Sequence, residues 1–214
     1  MKYKAILFDM NGVLVDDEHL QEEAFRRTLQ GLGLNLSPED YIHFFIGKTD
    51  RKGFEDFFQV SHLSGDVDSL IKQKGEEYEK LASGGIEGYP GVKEFIEAAA
   101  RRDLSLAVVT SSMKNEAISV LAGLNLTNYF TSIIAAEDVK NGKPDPEGYL
   151  KGAASLSASP QECIVIEDAS SGLRAAKAAG MFAVAVQNTH TLEELSDADI
   201  ITKELTPDLI DELA

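Results

Sequence analysis

The sequence predicts an α/β fold: a doubly wound parallel sheet with a Rossmann-like core and an inserted helical cap domain. Short apolar runs alternate with helix-period segments along most of the 214 residues, which is typical of a parallel sheet with helices on both faces. One stretch after the first apolar run interrupts this alternation and is helical in character. A chain of this length can bury the core of one domain and a small accessory domain.

Five apolar runs without polar alternation predict buried strands. They cover residues 5–8, 104–109, 132–135, 163–166 and 182–186, and a short sixth strand is expected near residues 199–202. Helices are expected at residues 91–102, 114–124 and 171–179. Gly180 follows the last of these helices and fits the left-handed position that ends many helices.

Residues 17–83 are expected to form the cap, with residues 1–16 and 84–214 as the catalytic core. Residues 18–30 and 66–81 read as helices, Ser37-Pro38 starts another, and Thr49 or Asp50 caps a helix through residue 58. Residues 15–17 and 83–85 would be the hinges. An insert directly after the first strand would cover the carboxyl edge of the sheet.

Composition excludes several classes of function. The net charge of −16, without a Lys/Arg cluster, argues against nucleic acid as a partner. The apolar runs are too short to span a membrane, and the early first strand leaves no room for a signal peptide. The single cysteine, Cys163, reads as a buried, inert thiol. One cysteine cannot form an internal disulfide, so we expect a cytoplasmic protein, and we expect a monomer.

Polar residues at four strand ends or neighbouring loops suggest phosphoryl transfer. They are Asp9, the hydroxyl run Thr110-Ser111-Ser112, Lys143, and the pair Glu167-Asp168. Adjacent carboxylates favour a divalent cation, and oxygen ligands suit Mg²⁺. Asp9 would be the nucleophile, and Mg²⁺ would bridge it to the phosphate and Asp168, with Glu167 beside them. Thr110 and Lys143 would hold the phosphate oxygens.

These segments resemble the four motifs of the haloacid dehalogenase superfamily, in the β-phosphoglucomutase-like subgroup of capped phosphatases and mutases. The motifs are Asp9-Met10-Asn11-Gly12-Val13, Thr110-Ser111-Ser112, Lys143-Pro144 and Glu167-Asp168, in matching order and spacing over nearly the whole chain. The resemblance implies that the backbone carbonyl of Asn11 also ligates Mg²⁺.

The cap residues Gly47, Arg51 and Lys74 are expected to bind the substrate, and cap side chains to select it. Arg51, which follows Gly47-Lys48-Thr49-Asp50, either contacts a distal polar group of the substrate, as the resemblance implies, or is a solvated first-turn arginine. Lys74 lies within an apolar helix stripe, so it either points into the closed site or extends to solvent. A mutase-like pattern favours a histidine near position 21. This chain has Gln21 there, and His19 is out of step on the helix, which argues against the mutase interpretation. The four histidines are expected on the surface.

Asn11 stands where a second carboxylate would protonate the leaving group, and an amide has no acid or base function near neutral pH. Three explanations compete: an engineered Asp-to-Asn change, which the otherwise intact motifs favour, a natural variant, or a binding protein descended from an enzyme. Poor turnover of alkyl phosphates is expected, with a smaller defect for aryl phosphates. The leading hypothesis is a Mg²⁺-dependent phosphatase of small phosphate monoesters, a sugar phosphate or similar, so the expected partner is a small phosphorylated metabolite. A β-phosphoglucomutase and a non-catalytic metabolite sensor are the alternatives.

Overall fold

The computed structural model describes residues 2–213 and contains one six-stranded parallel sheet. The strands are β1 (Ala5–Phe8), β2 (Ser105–Val109), β3 (Ser132–Ile134), β4 (Cys163–Glu167), β5 (Phe182–Val186) and β6 (Ile200–Thr202). The helices are α1 (Glu18–Gln30), α2 (Pro38–Phe44), α3 (Asp50–Ser61), α4 (Val67–Ala82), α5 (Val92–Arg101), α6 (Lys114–Gly123), α7 (Glu147–Ser155), α8 (Ser170–Ala178) and α9 (Pro207–Leu213). The predicted fold class is confirmed.

The strand order β3-β2-β1-β4-β5-β6 places β1 at the centre of the sheet. Phe8, the last residue of β1, is in register with Val108 of β2 and Ile166 of β4. The residues that follow these three strands therefore emerge side by side at one edge. This is the crevice where doubly wound sheets bind their ligands, because the strand order runs from β1 through β2 to β3 on one side and from β4 through β5 to β6 on the other.

Both faces of the sheet are buried, which explains why the strands lack polar alternation. Ile6 and Phe8 pack into one apolar cluster, with Phe95 of α5, whereas Ala5 and Leu7 belong to a second cluster on the opposite face. Burial of each large side chain contributes about 1.5–3 kcal/mol. Cys163 is fully buried in the second cluster, as predicted.

Residues 17–83, all within the described part of the chain, hold α1–α4 and no strand. An apolar cluster joins these helices: Leu70 and Ile71 of α4 pack with aromatic side chains of the other helices and their ends, which are Phe25, Tyr41, Phe44, Phe45, Phe54, Phe57 and Phe58. Ser37 and Asp40 form a reciprocal capping box at α2, and the Thr49 side chain accepts a hydrogen bond from the backbone of Lys52. A separate apolar cluster supports a cap domain, and its boundaries stay a prediction.

Small differences from the predicted elements occur at their ends. β3 stops one residue before the predicted end, and α3 continues three residues beyond residue 58. Gly180 adopts the predicted left-handed conformation, with a φ of 76°. The backbone N–H of its neighbour Met181 donates a hydrogen bond back to the carbonyl of Ala176. Among the helices of residues 2–213, none has the length and apolar composition needed to cross a bilayer.

Candidate active site

Asp9 begins the loop after the central strand, and its carboxylate meets a lysine from a distant part of the chain. Lys143 Nζ lies 2.6 Å from Asp9 Oδ1 and 2.6 Å from Glu167 Oε1. The Asp9 side chain keeps 13% of its surface exposed, whereas that of Glu167 keeps 1%. Lys143 therefore bridges an accessible carboxylate and a buried one.

Glu167 accepts hydrogen bonds from four donors, which hold its carboxylate in place. Besides Lys143, its oxygens accept from the Tyr149 hydroxyl at 2.8 Å and from the backbone of Asp168 and Ala169 at 2.9 and 3.1 Å. A Cβ at Gly172 would lie 1.6 Å from Glu167 Oε1. Only glycine fits there, so α8 begins directly against this carboxylate.

Burial and mutual repulsion dominate the electrostatics of the site. Burial raises the pKa of Asp9 to about 7, although Lys143 opposes this shift. Burial, then the charges of Glu167 and Asp9, raise the pKa of Asp168 well above its usual range. Burial alone would lower the pKa of Lys143, but the two carboxylates hold it above its usual value. The cluster carries more negative charge than its single lysine neutralises.

The donor set fits a divalent cation. One carboxylate oxygen from each of Asp9, Glu167 and Asp168 lies within 4.8 Å of the other two. Hard oxygen ligands of this kind favour Mg²⁺. A Cβ at Gly12 would lie 2.0 Å from Asp168 Oδ2, so the first motif's backbone closes against that carboxylate. The Thr189 hydroxyl donates to the same oxygen and orients it.

The hydroxyl run after β2 forms a second wall. Thr110 is buried at the strand end, and its Oγ1 accepts a hydrogen bond from the backbone of Ser112 at 3.1 Å. The Ser112 hydroxyl donates to Asn11 Oδ1 at 2.9 Å. Asp145, two residues before α7, accepts a hydrogen bond from the backbone of Glu147 at 2.9 Å. These turns set the loops of Thr110 and Lys143 against Asp9.

A cavity of about 400 Å³ lies between this edge and the cap. Of the predicted site residues, those lining it are Asp9, Asn11, Gly47, Ser111, Ser112, Lys143, Glu167 and Asp168. Thr110 lines a small adjoining void of about 20 Å³ together with Lys143. Gly47, with a φ of 70°, brings the cap loop close to Ser171 of the core. The cap thus covers the site.

Two predicted substrate-binding residues lie away from this cavity. Arg51 is half exposed and pairs with Asp68, in a separate cleft between cap and core. Lys74 neither extends to solvent nor points into the cavity. Its Nζ lies 3.1 Å from both oxygens of Glu116 on α6 and 3.2 Å from Asp50. Both predicted orientations of Lys74 are therefore wrong, and its partner Glu116 lies 42 residues away in the chain.

Sequence analysis did not place several of the residues that line or adjoin the cavity. His190 was expected on the surface, yet it lines the cavity, with Nδ1 3.9 Å from Asp168. Glu18 and Lys48 line the cap side. Asp17, expected only as a hinge, is 1% exposed and touches Asn11 directly. No periodicity signals such residues, because each lies in a loop or first helical turn whose path depends on distant contacts.

The fold and site define a class of protein: a Rossmann-like α/β core with a helical cap and an acidic centre at the carboxyl edge of its sheet. A model of the haloacid dehalogenase-like hydrolase family matches residues 6–186, and the chain belongs to that family. The chain is 35% identical over 178 residues to the phosphorylated carbohydrates phosphatase of Thermotoga maritima. This alignment covers 83% of the chain and 82% of that relative.

Two solved structures of related proteins share this fold. CbbY from Rhodobacter sphaeroides, in complex with phosphate, is 27% identical with a TM-score of 0.87, and 95% of each chain is covered. A β-phosphoglucomutase from Clostridium difficile is 25% identical, also with a TM-score of 0.87, over 98% of this chain and 96% of that one. The predicted resemblance to β-phosphoglucomutase-like phosphatases is confirmed.

Proposed function

We propose that this chain is a Mg²⁺-dependent phosphatase of small phosphorylated carbohydrates or similar monoesters. The observation that carries the proposal is the accessible Asp9 carboxylate at the end of the central strand, 2.6 Å from Lys143 and grouped with Asp168 at the cavity wall. The Thermotoga maritima relative supports a sugar phosphate as the substrate class.

The chain's own groups suit an aspartyl-phosphate route. Asp9 attacks phosphorus and the alkoxide leaves, after which water hydrolyses the acyl phosphate and frees the carboxylate. Lys143 and the Ser111–Ser112 turn stabilise charge on the transferring oxygens. Asp9, Asp168 and the Asn11 carbonyl would hold Mg²⁺, which would neutralise charge between nucleophile and phosphate. The chain lacks an efficient group for proton transfer in this route, because Asn11 stands where a carboxyl group would carry the proton.

Phosphate release tests the proposal. The purified chain, with Mg²⁺, is incubated with a panel of hexose, pentose and polyol phosphates and with 4-nitrophenyl phosphate. Release that depends on Mg²⁺ and disappears in Asp9→Asn supports the proposal. Equal release by Asp9→Asn would refute it, and binding without release by any form would favour a metabolite sensor.

A β-phosphoglucomutase is the second candidate, favoured by the structural likeness to the Clostridium difficile enzyme. The two functions differ in the acceptor of the phosphoryl group, which is water or a sugar hydroxyl. Glucose 1-phosphate with a trace of glucose bisphosphate separates them: free phosphate indicates a phosphatase, and glucose 6-phosphate a mutase. A monomeric state and a cytoplasmic location remain predictions.

A further inference from the structure

Asp17 is a buried carboxylate beside the site that the proposed reaction does not use. It is 1% exposed, at the start of the cap's first helix. Asn11 Nδ2 lies 2.8 and 2.9 Å from its two oxygens, the Tyr78 hydroxyl donates at 2.6 Å, and Gln21 Nε2 donates at 3.2 Å. These three donors, found among residues 2–213, are all neutral groups. The charge is therefore accommodated by hydrogen bonds, which buried carboxylates require.

The contact with Asp17 fixes the orientation of Asn11. The amide nitrogen faces the carboxylate, while the amide oxygen accepts from the Ser112 hydroxyl at 2.9 Å. Turning the amide over would place its oxygen against a carboxylate, with no proton between them. Asn11 lines the cavity, so this orientation decides which atoms it presents beside Asp9.

The two positions constrain each other. A carboxylate at position 11 would lie about 2.8 Å from the Asp17 carboxylate, because aspartate and asparagine have the same shape. The exchange of both residues avoids this conflict. An asparagine at position 17 donates to an aspartate at position 11, and its oxygen still accepts from Tyr78 and Gln21. The site therefore has room for one carboxylate in this pair.

We propose that Asp17 is a positioning residue that holds the Asn11 amide beside Asp9, and that positions 11 and 17 form a matched pair carrying a single carboxylate. The catalytic part of this inference rests on the proposed phosphatase function. Tyr78 and Gln21 belong to α4 and α1, so the pair also ties the cap to the first motif.

A double-mutant cycle tests the pair. The four chains are the parent, Asn11→Asp, Asp17→Asn and the exchange of both, with Asp16→Asn as the matched control, since Asp16 is an exposed neighbouring carboxylate. The measurements are the melting temperature and kcat and KM for 4-nitrophenyl phosphate. We expect Asn11→Asp to melt at least about 5 °C lower than the parent, and the exchange to recover most of that loss.

Kinetics separate positioning from a structural role. Asp17→Asn is expected to lower kcat about tenfold or more, with KM within about threefold, since it frees the Asn11 amide to rotate. The exchanged chain should exceed Asn11→Asp in kcat, and Asp16→Asn should match the parent. If Asn11→Asp fails to fold but the exchanged chain folds, the pair is supported.

Additive melting shifts, with no recovery on exchange, would overturn the matched pair. An unchanged kcat in Asp17→Asn would overturn the positioning role. Coupled melting shifts with no phosphate release from any of the chains would support the pair and refute the proposed phosphatase function instead.

Discussion

Lys74→Met is expected to destabilise the protein strongly, because Lys74 is an internal ion-pair partner. Its side chain is 1% exposed and faces Glu116 at 0% and Asp50 at 10%. At an effective dielectric constant of about 20, each carboxylate near 3.1 Å attracts the ammonium by about 5 kcal/mol before desolvation is counted. Removal of one partner from a buried pair costs about 3–5 kcal/mol, because the remaining charge stays buried.

Thermal unfolding measures this loss at about pH 8, above the raised Glu116 pKa of about 7, where both members of the pair are charged. At about 2–4 °C per kcal/mol for a chain of this size, Lys74→Met should melt about 6–20 °C below the parent. Methionine retains most of the lysine stem, so the comparison isolates the charge. The matched control is Lys72→Met on the same helix, whose side chain is 80% exposed and 3.8 Å from Glu76. We expect that variant within about 2 °C of the parent.

The same two variants decide the alternative assignment of Lys74. A lysine that binds substrate would leave the melting temperature of Lys74→Met near that of Lys72→Met and raise KM for a sugar phosphate. That combination would refute the ion-pair account.

Three further predictions concern backbone, charge and metal. Gly12→Ala should melt at least about 4 °C below Gly33→Ala in thermal scans. Both glycines have a positive φ, but only at Gly12 would an added Cβ meet Asp168. Equal melting shifts for the two variants would contradict this prediction. Burial raises the Glu116 pKa from 4.5 to about 7, so the stability that this shift contributes is present below about pH 4.5 and is lost as the pH rises through 7. Urea unfolding should therefore show the parent losing stability relative to Glu116→Gln over that pH window. Parallel pH curves for the two chains would contradict this prediction. Mg²⁺ should raise the parent's melting temperature but not that of Asp168→Asn, and equal shifts would refute this ligand assignment.

The sheet and the acidic centre were predictable because their signals are local. Buried parallel strands need continuous apolar runs, and the carboxyl ends of such strands meet at one edge. Asp9, Lys143 and the Glu167-Asp168 pair follow these rules, so their convergence could be inferred without coordinates. The β3 boundary was less certain, because all three of its residues are partly exposed.

The direction and the contact partners of the cap side chains could not be predicted from the sequence. Lys74 pairs with Glu116 across 42 residues, and Asp17 accepts from Tyr78 across 61. Helical periodicity shows which face is buried, but not which partner from another helix meets it. Arg51 illustrates the same limit, since its pairing with Asp68 depends on how α3 and α4 pack.

The most direct test of the central claim is identification of the phosphorylated residue during turnover. The chain is mixed with 4-nitrophenyl phosphate and Mg²⁺, quenched in acid within the first turnovers, and its peptides are analysed by mass spectrometry. The aryl group leaves with little protonation, whereas hydrolysis of the acyl phosphate lacks a base at Asn11, so the intermediate should accumulate. The account predicts a phosphoryl group on the peptide that carries Asp9, and none in Asp9→Asn. A phosphoryl group on another peptide, or undiminished turnover by Asp9→Asn, would contradict it.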